Sequence, residues 1–228
     1  MQDLLHWIVV YAVFLFSVTL HESAHAWAAV VGGDATAYRG GQVTLDPRPH
    51  IRREPLGMVV IPWIGLLMSG FPFGWASTPY DPGWAYAFPK RAGWMALAGP
   101  ASNLALAVVG GVAMRTGLLL GAFERGGPSL YYGVLPAVGA APFVETLALF
   151  LSALFAMNLL LLVLNLVPVP PFDGSGVLAL FVDEDTGRRL QEAMRRPGLS
   201  MLGMLFVFLV LPGLFGPVLR AAFGWVLM

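Results

Sequence analysis

The sequence predicts an all-α polytopic membrane protein, with about four transmembrane helices, a re-entrant segment and a small β-hairpin. Three observations predict it. Of 228 residues, 57% are hydrophobic and 11% charged, whereas a soluble domain carries about 25% charged residues. Mean hydropathy is +0.74. The apolar residues also gather into runs of the roughly 20 residues that a helix needs to cross about 30 Å of hydrocarbon.

The first helix is expected over about 3–31, closed by Gly32-Gly33. Ala35 to Leu45 mixes β-branched and aromatic residues around Gly40-Gly41, the pattern of a short hairpin. Asp46 to Glu54 is polar and turn-rich. Pro55 to Gly74 is apolar but broken by Pro62, Gly65, Gly70 and Pro72, so the hairpin and a re-entrant region fill about 35–76. Trp75 to Pro89 reads as an interfacial loop. Further apolar helices are expected over about 92–114, 143–167 and 199–226, with a Gly-rich loop from Gly117 to Ala141. An amphipathic helix over about 177–196 carries Asp183-Glu184-Asp185 and Arg188-Arg189 near a surface. No repeat or separate soluble unit interrupts 1–228, which reads as a single domain.

Composition also excludes. A formal net charge of zero argues against a nucleic-acid partner. With no cysteine, neither a disulfide nor a thiolate metal site is possible. The N-terminus lacks a basic n-region, so the first apolar segment is expected to be retained.

That segment contains His21-Glu22-Ser23-Ala24-His25. Four residues apart on a helix, the two imidazoles share a face and can hold one zinc ion, with Glu22 beside them as a base. Three ionisable side chains in five residues of hydrocarbon are costly, each about 2.5 kcal/mol or more at mid-bilayer unless partnered. A metal site resolves that cost. His6, alone in the same helix, reads as a packed or interfacial residue.

A catalytic zinc takes three protein ligands and keeps one open position. Asp173, in Asn165-Leu166-Val167-Pro168-Val169-Pro170-Pro171-Phe172-Asp173-Gly174, is the best third candidate. It follows an apolar helix in a stretch where the backbone can bend toward the metal. On the aspartate alone, a ligand and an N-cap for the next helix are equally open. Asp46 and Glu54 are rivals, in contexts that suit a turn or a solvated surface better. His50 could touch substrate or cap a turn, and the turn is favoured.

If Asp173 joins the two histidines, the ends of the first and third long helices lie on one side, and Pro55–Gly74 must enter and leave on one face. Ten basic residues then share that side: Arg39, Arg48, Arg52, Arg53, Lys90, Arg91, Arg188, Arg189, Arg195 and Arg196. By the positive-inside rule the N-terminus is outside and the site faces the cytoplasm of a cell (inner) membrane.

These motifs together resemble the site-2 protease family of intramembrane zinc metalloproteases, peptidase family M50, over nearly the whole chain. His21-Glu22-x-x-His25 is similar to its H-E-x-x-H, and Asn165, Pro168 and Asp173-Gly174 to its N-x-x-P-x-x-x-x-D-G. Ala98-Gly99-Pro100-Ala101-Ser102-Asn103 looks like its A-G-P-x-x-N. Thr44-Leu45-Asp46-Pro47 with His50, and Phe73-Gly74-Trp75-Ala76, are similar to further family stretches. The resemblance implies one Zn2+ held by His21, His25 and Asp173, with Glu22 as general base and Asn165 near the active site.

The implied activity is a zinc-dependent endopeptidase that cuts within or near the transmembrane helix of a single-pass membrane protein in the lipid bilayer, as in regulated intramembrane proteolysis. An amide from Asn165 or Asn103 would steady the developing oxyanion, an interhelical hydrogen bond being the other reading of Asn103. The Ala35–Leu45 hairpin would hold an unwound substrate strand at its edge. No PDZ-like insertion or CBS pair is expected, making this a minimal member. The competing readings are a zinc-binding transporter and a non-catalytic scaffold for membrane helices. Transporters often carry inverted repeats, and none is visible here. The sequence sets no oligomeric state.

Overall fold

Residues 2–194 and 196–228 are described in a computed structural model; Arg195, counted above among the basic residues of one side, lies outside them. Four long helices carry the architecture: α1 (Gln2–Gly32), α6 (Pro89–Leu119), α7 (Pro142–Asn165) and α10 (Pro197–Leu227). Short helices lie between them: α2 (Thr36–Arg39), α3 (Pro47–Arg53), α4 (Ile61–Ser69), α5 (Pro82–Ala87), α8 (Asp173–Val177) and α9 (Glu184–Met194). Leu4–Gly32, Pro89–Leu119 and Pro142–Asn165 are long and apolar enough to cross a membrane. Within α10, Gly198–Val207 and Gly213–Leu227 are shorter apolar stretches. The protein is a multi-pass integral membrane protein.

The bundle centres on α6, which packs on α1, α7 and α10. Lipid is as apolar as a leucine side chain, so helices in a bilayer associate through close packing, and small residues permit it. Gly99, Ala107, Gly110, Gly111 and Gly117 of α6 are buried accordingly. A Cβ at Gly110 would lie 3.2 Å from the backbone nitrogen of Phe155 on α7. One core cluster joins Ala107, Met114, Phe155 and Phe223 of α6, α7 and α10. A second joins Val10, Val13, Phe14 and Val18 of α1 to Met58, Leu66, Leu154 and Met157.

The broken segment folds back on itself. A π-helical turn, Leu56–Val60, leads into α4, and the chain then returns along the face it descended. Glycines allow this approach: a Cβ at Gly57 would lie 2.3 Å from the Trp75 carbonyl oxygen, and one at Gly74 equally close to that of Gly57. The Trp75 amide donates to the Gly57 carbonyl at 3.2 Å. At the mouth, the Ser77 hydroxyl donates to Glu54 at 2.6 Å. At the tip, Tyr131 donates its hydroxyl hydrogen to the Gly70 carbonyl at 2.6 Å. Tyr131 also takes the His6 ring edge-on at 4.9 Å.

Residues 35–45 do not form the expected hairpin. Asp34 accepts the Thr36 amide at 2.9 Å, a local turn that starts helix α2. Gly41, at φ +71, follows the helix. The hairpin lies instead in the Gly-rich loop, where β1 (Phe123–Arg125) pairs antiparallel with β2 (Val134–Pro136), Glu124 opposite Leu135. It is held by tertiary contacts. The Val134 amide donates to Ser152 of α7 at 3.2 Å, and Phe123 lies on Gly117 of α6.

The helix expected over 177–196 is divided. Helix α8 ends in a 3-10 turn, Leu178–Leu180, and α9 begins afresh at Glu184. Asp183 starts it, accepting the Thr186 amide at 2.9 Å and hydroxyl at 2.8 Å. Lys90 of α6 donates to the Leu180 and Val182 carbonyls at the break. Trp75–Pro89 is likewise not all loop, since it contains α5.

Asp34 ties two of these segments together. Besides Thr36 it accepts the Asp81 amide at 2.7 Å, although it is only 4% exposed. Burial alone would raise its carboxyl pKa, but the hydrogen bonds from Thr36 and Asp81, with the charge of Arg39, outweigh it and hold the group below the usual carboxylate range. A depressed carboxyl stabilises the fold above its unfolded pKa of about 3.9, and that share is lost as pH falls through the folded value. The melting temperature of the detergent-solubilised parent should therefore fall more between about pH 5 and pH 3 than that of Asp34→Asn, which should melt lower at pH 7. Parallel pH profiles would refute the anchoring role.

Candidate metal centre and catalytic site

His21, Glu22 and His25 occupy the C-terminal part of α1, all buried. The helix turns both imidazoles toward α6, where Gly99 makes room. A Cβ at Gly99 would lie 2.3 Å from His25 Nε2 and 2.5 Å from His21 Nε2. Pro100 follows inside the helix and lacks an amide hydrogen, so the Ala96 carbonyl has no partner one turn on.

Asp173, the first residue of α8, completes the cluster. It follows the Pro168–Phe172 stretch with its cis Pro170-Pro171 bond. Its Oδ2 lies 3.0 Å from His21 Nε2 and 3.2 Å from His25 Nε2, and the two Nε2 atoms are 3.0 Å apart. Among the described residues this is the one group of three or more His, Asp or Glu side chains that could hold a metal ion.

The rest of each histidine is already committed. His21 Nδ1 lies 2.6 Å from Asn103 Oδ1 and His25 Nδ1 2.7 Å from the Met95 carbonyl. Both oxygens only accept, so both Nδ1 atoms carry the hydrogen, and in the neutral imidazoles both Nε2 atoms present lone pairs. Three electron-rich atoms thus face one another, and Asp173 Oδ2 is buried without a hydrogen-bond donor. A cation suits them. A tetrahedral zinc with bonds of about 2.0–2.1 Å sets its ligand atoms about 3.3 Å apart, close to the separations here. The donor set, two imidazoles and a carboxylate, is also that of a catalytic zinc with an open fourth position.

Glu22 lies on the cavity side. The hydroxyl of Thr78, in the 72–81 run that forms neither helix nor strand, is 2.7 Å from Glu22 Oε2 and 2.9 Å from its backbone carbonyl. A cavity of about 360 Å³ opens beside them, walled by Glu22, His25, Thr78, Met95 and Asp173 among others.

The remaining sequence candidates are placed differently. Asn103 has no exposure at all and sits behind His21, away from the cavity. Asn165 ends α7, half-buried and outside the cavity walls. His50 is buried with Nε2 3.2 Å from the Thr44 carbonyl and 3.4 Å from Ser23 Oγ, so it braces a turn against α1. Asp46 caps α3 by accepting the Arg48 amide, and Glu54 accepts from Ser77. Three contributors carried no sequence signal of their own: Thr78, the Met95 carbonyl and the steric role of Gly99. Asn158, polar in the middle of an apolar helix, did carry one.

Comparison with known proteins agrees with this chemistry. The sequence model of Peptidase family M50 matches residues 126–210. A Bacillus subtilis (strain 168) protein named "Putative zinc metalloprotease YwhC" is 33% identical over 180 residues, covering 78% of this chain and 71% of the relative. Two mycobacterial proteins carry the name "Putative zinc metalloprotease Rip2". The one from Mycolicibacterium smegmatis is 31% identical, over 82% of this chain and 62% of its own length. The one from Mycobacterium tuberculosis H37Rv is 31% identical over 91% and 70%. No solved structure matches.

Gly99→Ala should hold less than half the zinc of the parent after purification, because even a methyl group crowds both Nε2 atoms at distances a core does not tolerate. Metal analysis of the two proteins, each checked for helicity, measures it. Equal zinc would mean the histidines do not meet where Gly99 makes room.

Proposed function

Since the chain belongs to peptidase family M50 and is a zinc metalloprotease, we propose that it acts inside the bilayer, as an endopeptidase that cuts a single-pass membrane protein within or near its transmembrane helix. The observation that carries this reading is the position of the cluster: His21, Glu22 and His25 lie within an apolar helix long enough to span the membrane, and Glu22 and His25 line a cavity. On this reading the activity belongs to regulated intramembrane proteolysis.

His21, His25 and Asp173 are the proposed ligands of the zinc. Bound there, zinc supplies Lewis acidity toward water and the scissile carbonyl. Glu22 takes a proton from the attacking water and returns it to the leaving amine. Thr78 fixes the direction in which that carboxylate points. Asn103 positions His21 from behind, a different role from oxyanion contact. Asn165 remains the candidate amide for the substrate side of the site.

A substrate helix must unwind first, because its amides are already bonded within the helix. Substrates with Gly, Asn or Pro near mid-membrane fit that demand. Residues 72–81, beside Glu22, are better placed than 35–45 to hold the unwound strand. Topologically, the back-folded 54–77 segment supports entry and return on one face. With α10 as a fourth crossing, the basic residues put the N-terminus outside and the site toward the cytoplasm.

Glu22→Gln should lower cleavage of a model transmembrane substrate by about 10²-fold or more, with zinc retained, whereas Asp173→Ala should lose both. Cleavage unchanged in Glu22→Gln would remove the catalytic role of Glu22 and favour a scaffold.

A further inference from the structure

Behind His21 a chain of side-chain amides crosses the bundle, and its orientation is fixed from one end. Asn158 of α7 donates through Nδ2 to the Leu154 carbonyl at 2.8 Å and to Ser17 Oγ of α1 at 2.8 Å. Its Oδ1 accepts from Asn103 Nδ2 at 2.8 Å. Asn103 Oδ1 in turn faces His21 Nδ1. Ser17, Asn103 and Asn158 have no solvent exposure.

The direction of the chain follows from the Leu154 carbonyl, which can only accept. The Asn158 amide nitrogen must therefore face it, and Oδ1 must face α6. Asn103 can meet that oxygen only with its own nitrogen, so its oxygen turns to His21. Nδ1 of His21 then has to carry the hydrogen, and Nε2 presents its lone pair to the metal. An amide of Asn103 free to flip would offer a donor to Nδ1 and favour the tautomer with hydrogen on Nε2, which cannot bind zinc.

From this geometry we infer that Asn158 is a positioning residue of the metal centre, acting through Asn103 to set the tautomer of His21. The competing role for a buried asparagine is interhelical glue. Glue alone would alter melting and leave the metal untouched. The wire instead reaches zinc affinity.

The inference rests on the zinc ligands proposed above, and zinc affinity tests it without any substrate. The detergent-purified full chain is titrated with zinc against a competing chelator, with thermal melting as the folding control. Asn158→Leu should weaken zinc by about tenfold, the lower end of the loss seen when an outer partner of a metal-binding histidine is removed. Asn103→Leu should lose as much, and the double variant no more than either, because both cut one path. Ser17→Ala should stay within about twofold of the parent, since the Leu154 carbonyl still orients Asn158.

Asn158→Asp keeps an oxygen acceptor toward Asn103 in either protonation state, and should also stay within about twofold. Parental affinity in a folded Asn158→Leu, or losses that add in the double variant, would overturn the inference. If Asn158→Leu does not fold, Asn158→Ala takes its place with the same expected loss, and parental affinity there, or a tenfold loss in Asn158→Asp, overturns the inference. A parent that binds no zinc would instead strike down the ligand set itself, a result separable from all of these.

Discussion

Three lone pairs held about 3 Å apart at the buried end of a cavity are a repulsive arrangement until a cation lies among them. The other atoms of the site make sense against that constraint. Asn103 and the Met95 carbonyl aim the imidazoles, Gly99 clears the space, and the turn before α8 delivers Asp173. None of these contacts would be needed to pack four apolar helices. Their common purpose is to keep the electron-rich faces together at a single point.

Glu22 is held differently from the two histidines. The histidines are braced from behind by groups on α6, whereas Glu22 is met from the cavity side by Thr78, whose segment returns from the back-folded region. Firm imidazole geometry thus comes from the helical bundle, and the orientation of the Glu22 carboxylate from an irregular run. Such runs adapt to an incoming chain more readily than packed helices do.

Much of this was legible in the sequence. His21, Glu22 and His25 are local in the chain, and the i, i+4 spacing brings the imidazoles to one face without tertiary help. The long helices follow from apolar runs. Asp173 was readable only as a candidate, because nothing local separates a ligand from a cap; the fold sets its carboxylate beside both histidines. The hairpin was misplaced because the β-branched and aromatic residues of 35–45 compete with Asp34, whose carboxylate starts a helical turn, while the true strands are three residues each and lean on Gly117 and Ser152. Thr78 and the cramped face of Gly99 were invisible, since both depend on which segments meet. Asn103 was noticed, yet its partner could not be chosen between substrate and helix until its full burial behind His21 was seen.

The order in which donors occur along the chain has a consequence for biosynthesis. Both histidines and Glu22 lie in α1, the glycine that accommodates them in the later α6, and Asp173 beyond α7. A nascent chain that has inserted only its early helices holds an incomplete donor set and no closed cavity. On the proposed ligand set, hydrolytic capacity therefore requires the chain to be assembled through α8.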